Sequence, residues 1–196
     1  MLAASPQPEP VMRITALASF TLVALAACSS TPSTSPSAPP ATTSTAQQAD
    51  AVLASASGSR VSGRLSLVPM GDGVHIRGEV GGLVPNGQFG FHVHDKGDCS
   101  AVDATSAGGH FNPAASAHGR AGGHAHHAGD MDNVVSDGAG LARVDVHLQG
   151  VTLGGGAAND IAGRAVIVHA DPDDYHSQPT GNAGARVACG VIKVVR

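Results

Sequence analysis

Polar and apolar residues alternate one for one along several short stretches of this chain, and glycine-bearing turns close most of them. In Val74–Val80 the even positions are apolar or glycine and the odd ones polar; Ser62–Leu67 and Arg143–Leu148 repeat the pattern. A period of two over six or seven residues places one face inside and one outside, which is a half-buried β-strand. Gly71-Asp72-Gly73, Pro85-Asn86-Gly87 and Ser136-Asp137-Gly138 read as the turns between such strands. No stretch sustains a 3.6-residue period, and 26 glycines further penalise helix. Aromatic residues are 3% and tryptophan is absent, so the core must be built from Val, Leu, Ile and Ala.

The pattern predicts strands near 50–56, 61–69, 73–81, 88–95, 132–136, 141–148, 164–169 and 185–195. Eight short strands predict an all-β fold, an eight-stranded Greek-key barrel or sandwich of immunoglobulin-like architecture. Two connections are long, 96–131 and 170–184. Long loops on a compact β domain are usually functional or disordered.

The N-terminal part reads differently. Met12–Ala27 has one Arg, an apolar run and then small residues. That is a secretory signal, too short in its apolar part to span a bilayer. Residues 1–27 are therefore expected to be a signal region, with the biological start at Met12, because Glu9 and the prolines before it suit no signal. Leu25-Ala26-Ala27-Cys28 resembles a bacterial lipobox, which implies cleavage before Cys28 and a lipid on its sulfur; the alternative is an ordinary signal with an incidental cysteine. Residues 28–48, rich in Ser, Thr, Pro and Ala, are expected to be a disordered tether, and 49–196 the folded domain. The expected location is the periplasm, with membrane anchoring only through the lipid on Cys28.

With Cys28 assigned to lipid, Cys99 and Cys189 are the one possible disulfide pair; two buried free thiols are the alternative, disfavoured in an oxidising compartment. The formal charge is −4, and no basic block points to nucleic acid.

The chemistry lies in the histidines. His92 and His94 in Gly-Phe-His-Val-His share one strand face and can share one metal. Alone, such a pair is weak. His110, His118, His127 and Asp130, spaced by eight, nine and three, supply three imidazoles and a carboxylate, a closed four-coordinate zinc set. Zinc there would order a glycine-rich loop and add to folding stability. His169, after the apolar run Ala165–Val168, is a candidate partner for His92 and His94. A nitrogen-rich site of that kind suits copper. Counting His110 in both sets makes its imidazolate a bridge, and two dications make the double deprotonation plausible.

Gly-Phe-His-Val-His, Ser106–Pro113, the His110–Asp130 spacing, His169–Asp174 and Gly181–Val191 together resemble the copper/zinc superoxide dismutases of the bacterial exported kind. The resemblance covers about residues 50–196. It implies one copper and one zinc ion per subunit, with copper on His92, His94, His110 and His169, and zinc on His110, His118, His127 and Asp130. It implies that Arg186 lies beside the copper and holds the anionic substrate. Cys99 and Cys189 match the family's intrasubunit disulfide. Asp173 matches an aspartate that links a copper histidine to a zinc histidine.

The implied reaction dismutates superoxide to dioxygen and hydrogen peroxide, with His110 carrying a proton, in a monomer or homodimer. The alternative is a copper/zinc-binding or storage lipoprotein on the same scaffold, disfavoured because no ligand and not Arg186 is missing.

Two features depart from the family or add to it. Loop 170–184 lacks the lysine-and-glutamate cluster of the family's eukaryotic members, so steering must lean on Arg186 and on other basic residues such as Lys96 or Arg120. The zinc loop carries surplus histidines, His124 and His126: the spacing of three before Asp130 favours His127 as the ligand, with His126 the alternative, and the extra pair is read as solvated, with auxiliary metal capture the alternative. His75, His147 and His176 are expected at the surface.

Overall fold

The structure, a computed structural model, describes residues 43–196. The expected signal region, the lipid on Cys28 and residues 28–42 of the tether lie outside the described residues. Nine strands form: β1 (Ala49–Ser55), β2 (Ser62–Met70), β3 (Gly73–Gly81), β4 (Gln88–Phe89), β5 (Phe91–His94), β6 (Val134–Val135), β7 (Ala142–Gln149), β8 (Ala165–His169) and β9 (Arg186–Val194). A single 3-10 turn at Thr105–Ala107 is the only helical element among the described residues.

One sheet runs β5-β8-β9-β1-β2-β3-β7, and β4 pairs with β6. All these pairings are antiparallel. A bridge between Ser136 and Ala142 joins β6 to β7, and β4 runs straight on into β5, so the sheet curls back on itself. Connections β3–β4 and β7–β8 skip neighbours, which is the Greek-key crossing. The eight expected strands are all present. The stretch 88–95 divides at Gly90, where the chain leaves one pairing for the other. Gly90 N–H donates to Asp171 O, and its carbonyl accepts from His169 N–H. A Cβ at Gly90 would lie 2.8 Å from the Ala183 Cβ, so only glycine passes through the seam.

The alternating pattern builds the core. Leu53, Leu65, Leu67, Ile76, Phe91, Val93, Val166, Val168 and Ile192 fill the barrel. The opposite phase of β5 and β8 does not face water, nor does Cys189 on β9. Ala165, Ile167 and Cys189 pack with Ala104 and Ala107 of the long loop in a second apolar cluster. Because side chains alternate, the phase that sends Phe91 and Val93 inward sends His92 and His94 under that loop, where both are fully buried.

Three expectations are corrected. Residues 44–48 belong to the folded body and not to the tether: Thr45 and Ala46 N–H both donate to Leu153 O, Gln47 and Gln48 N–H to Arg196 O, and Ala46 is buried. The Ser/Thr/Ala composition carries no sign of these backbone contacts. A third long connection, 150–164, joins the two expected. It needs no hydrophobic pattern because the buried Asp160 carboxylate organises it, accepting from the N–H groups of Gly154, Gly156 and Ala162. Finally, His75 is buried and not at the surface. It stands directly opposite His147, and its Nε2 donates to Asp145 Oδ1. His147 is half-buried and donates to Asp72.

Candidate metal centre

β5, β8 and the two loops on either side bring the seven candidate ligands together. Bridges from His92 to Asp130 and from His94 to His110 lay the loop directly along the free edge of β5. A bulge between Val168 and His169 re-aims the end of β8 and sets His169 opposite Arg186. Ligand atoms of His92, His94, His110 and His169 lie within 4.8 Å of one another, as do those of His110, His118, His127 and Asp130. All seven residues are buried.

Hydrogen bonds decide which nitrogen each ring presents. His92 Nε2 donates to Asp173 Oδ2 (2.8 Å), His94 Nδ1 to Gly108 O (2.9 Å) and His169 Nδ1 to Gly184 O (3.4 Å). Each bond fixes the tautomer and leaves the other nitrogen as a lone pair. The freed atoms converge: His94 Nε2 and His169 Nε2 are 3.3 Å apart, and His92 Nδ1 is buried without a partner. Lone pairs facing one another in a dry site call for a cation.

The second group follows the same logic. His118 Nε2 donates to Asp173 Oδ1 (2.9 Å), so its Nδ1 carries no proton. Yet Nδ1 lies 3.0 Å from Asp130 Oδ2, in an arrangement that makes no hydrogen bond. His127 Nδ1 lies 3.3 Å from Asp130 Oδ1, likewise unbonded. Three nitrogens and a carboxylate are the donors zinc takes. Burial alone would raise the Asp130 carboxyl; hydrogen bonds from the His110 ring and the His127 N–H hold it well below its ordinary range, ready to ligate.

His110 belongs to both groups. Its Nδ1 faces Asp130 Oδ1 at 2.8 Å, and its Nε2 is buried without a partner on the side of His92, His94 and His169. The other histidines of the first group each spend one nitrogen on an outer acceptor. His110 has no such acceptor, so both its nitrogens are turned inward.

Asp173 ties the groups together, taking His92 on one oxygen and His118 on the other. Its backbone is clasped by Asn133, whose Oδ1 accepts from Asp173 N–H (2.8 Å) and whose Nδ2 donates to Asp173 O (2.9 Å). Gly181 makes room for it: a Cβ there would fall 1.8 Å from Asp173 Oδ1, and its φ of +66° suits glycine. The sequence reading missed Asn133. Its position three residues after Asp130 was the available signal, but a single amide in a loop has no readable pattern.

Arg186 donates from Nη1 to Ala104 O and from Nη2 to Gly108 O, both at 2.6 Å. Gly108 O also receives His94 Nδ1, so one carbonyl orients a ring of the first group and the guanidinium beside it. Burial lowers the arginine's pKa, which starts so high that the group stays charged. The Cys99–Cys189 disulfide forms and pins the start of this loop to β9. Arg120, by contrast, is spent on Asp132 at 2.9 and 3.3 Å. Lys96 is exposed and makes no ion pair among the described residues.

The surplus histidines stay outside. His124 is exposed, and His126 turns its Nδ1 to the His127 carbonyl (2.8 Å). The double variant His124→Ala/His126→Ala is expected to retain full zinc and copper content by elemental analysis. Loss of one zinc equivalent would show that these rings ligate.

The buried rings also set the acid response of the metal-free protein. Burial holds His92 at about 4 against its hydrogen bond to Asp173, and burial with repulsion from His92 and His110 holds His169 at about 3. The unfolded chain takes protons on these rings near pH 6.5, while the fold excludes them until pH 3–4. Protons therefore favour unfolding, and stability present above pH 6.5 drains away as pH falls towards 4. Thermal melts of the metal-free protein between pH 7 and 4 are expected to show a falling midpoint; a flat profile would contradict the burial of neutral rings.

Comparison with known proteins agrees with this geometry. The family described as copper/zinc superoxide dismutase (SODC) matches residues 61–192. Superoxide dismutase [Cu-Zn] 2 of Aquifex aeolicus (strain VF5) is 42% identical over 149 residues, covering 74% of this chain and 86% of the relative. Superoxide dismutase [Cu-Zn] 2 of Mesembryanthemum crystallinum is 42% identical, covering 72% and 93%. Among solved structures, the clock protein EA4 is 39% identical with a TM-score of 0.69, covering 78% of this chain and 97% of that one. A SOD-like protein from Bacillus subtilis is 35% identical with a TM-score of 0.65, covering 72% and 95%. A Greek-key barrel with two histidine groups meeting at His110, found at this level of identity, places the chain in the copper/zinc superoxide dismutase family.

Proposed function

We infer that this protein dismutates superoxide to dioxygen and hydrogen peroxide, with one copper and one zinc ion per chain. The observation that carries the reading is His110, buried with one nitrogen turned to each ligand group. His92, His94, His110 and His169 would hold copper; His110, His118, His127 and Asp130 would hold zinc. Bound copper supplies a one-electron couple that oxidises one superoxide and reduces the next, and bound zinc supplies fixed positive charge.

The chain does the rest. Arg186 spends two of its five N–H donors on carbonyls, which leaves others to bind an anion in a fixed fork. His110 Nε2 can take up a proton in the half-cycle that releases dioxygen and give it to peroxide in the other, while Nδ1 keeps its place beside Asp130. Asp173 orients His92 and His118: by accepting at Nε2 of each ring it turns Nδ1 towards the ligand groups. Of the basic residues singled out for steering, Arg120 is neutralised by Asp132, which leaves Arg186 and Lys96 to draw superoxide to a chain of net charge −4.

The test is cyanide-sensitive superoxide consumption by metal-loaded protein; copper-bound protein without activity would favour storage. Nothing in the site favours storage, which has no use for a guanidinium held beside His94 on a shared carbonyl. The leader further supports export and anchoring in the periplasm through a lipid on Cys28. Fractionation of cells is expected to find the wild type with membranes and Cys28→Ser in the soluble fraction; equal partitioning would remove the anchor.

A further inference from the structure

His118 is the member of the zinc group with the least support from its own segment. It is preceded by Ala115 in a left-handed conformation, followed by Gly119, and lies in no strand or helix. Its position is set from outside, by loop 170–184. Gln178 Oε1 accepts from His118 N–H at 2.9 Å, and Gln178 Nε2 donates to His118 O at 2.9 Å. The same Nε2 also reaches His176 O at 3.3 Å, within its own loop. One carboxamide thus holds both backbone polar groups of a single residue 60 positions away. Asp173, from the same loop, takes the ring at Nε2. Of the four polar atoms of His118, only Nδ1 is left, and it faces Asp130.

We propose that Gln178 is a positioning residue of the zinc centre. This rests on the zinc reading above and deepens it. Two hydrogen bonds to the backbone on either side of one Cα restrict rotation of that residue. With the ring also held at Nε2, Nδ1 is aimed before any ion arrives. The side chain must present one acceptor and one donor at the end of two methylenes. Glutamine meets this; glutamate keeps the acceptor but sets a second oxygen against the His118 carbonyl, and alanine keeps neither. The grip also joins the zinc loop to the loop that carries Asp173 and leads to Arg186, in a protein whose loop 170–184 has no lysine-and-glutamate cluster.

The experiment compares wild type, Gln178→Ala, Gln178→Glu and His118→Ala. Zinc affinity is measured by competition with a chromophoric chelator, and cobalt(II) loaded alone into the zinc site reports ligand geometry through its visible absorption. Unfolding of the metal-free proteins is followed in parallel. Both Gln178 variants are expected to lose zinc affinity by on the order of 10-fold and to change the cobalt band shape. Their metal-free unfolding midpoints should stay near wild type, because Gln178 is an exposed side chain. Unchanged affinity and cobalt spectrum in Gln178→Ala would overturn the proposal. So would a metal-free destabilisation large enough to account for the whole affinity loss, or a Gln178→Glu that behaves as wild type. His118→Ala separates the two levels: if it binds zinc and cobalt as wild type does, the zinc site itself has been misplaced and both readings fall.

Discussion

Cys189→Ser, or Cys99→Ser, is expected to destabilise the protein by about 4–5 kcal/mol, since the bridge closes a loop of 90 residues and its chief effect is on the unfolded chain. Urea unfolding of the variant and of wild type, each with and without reductant, checks this. Reductant should carry wild type down to the variant and leave the variant unmoved. The loss should also reach the site. Cys99 heads the segment whose Ala104 and Gly108 carbonyls hold Arg186, and Cys189 sits three residues beyond Arg186 on β9. Dismutation should therefore fall in the variant at temperatures where it is still folded. An equal unfolding midpoint in both proteins would mean that the loop is held by the second apolar cluster alone.

Arg186→Ala is expected to lower kcat/KM by about 10- to 100-fold, within the roughly 10- to 1000-fold by which a focused positive field raises encounter with an anion, while copper content stays at one per chain. Added salt slows wild type by screening, and the variant's rate should depend on salt much less steeply. Arg186→Lys keeps the charge but cannot hold both the Ala104 and Gly108 carbonyls in one planar fork, so its rate should fall between the two. A variant as fast as wild type at every ionic strength would take Arg186 out of substrate binding. Loss of copper would point instead to a positioning role through Gly108, whose carbonyl also holds His94.

The strands were legible because alternation is a local signal, and it also placed His92 and His94 together on one face. What it could not tell is what covers a face. The polar phase of β3 was assigned to solvent, yet His75 is buried through its contact with Asp145 on the neighbouring strand. The break at Gly90 was hidden inside a continuous pattern, because the crossing between pairings is a matter of where other segments run. The seven residues that meet in the two groups were legible as candidates because chemistry restricts which residues can serve as metal donors, and the spacing of three before Asp130 favoured His127. The clasps of Asn133 on Asp173 and of Gln178 on His118 were not. Each is a single amide bonding to a backbone 40 or 60 residues away, and backbone groups look alike in every sequence. For the same reason Ser44–Gln48 read as tether until its partners at Leu153 and Arg196 were in view.

The proposed activity requires two metal sites that share His110. Metal-free protein loaded with one equivalent of zinc and then titrated with copper, with dismutation measured at each addition, tests this most directly. Activity should be absent with zinc alone, rise linearly with copper and level off at one copper per chain, with one zinc retained throughout. Copper that binds without producing activity, or that displaces the zinc stoichiometrically as it binds, would contradict it.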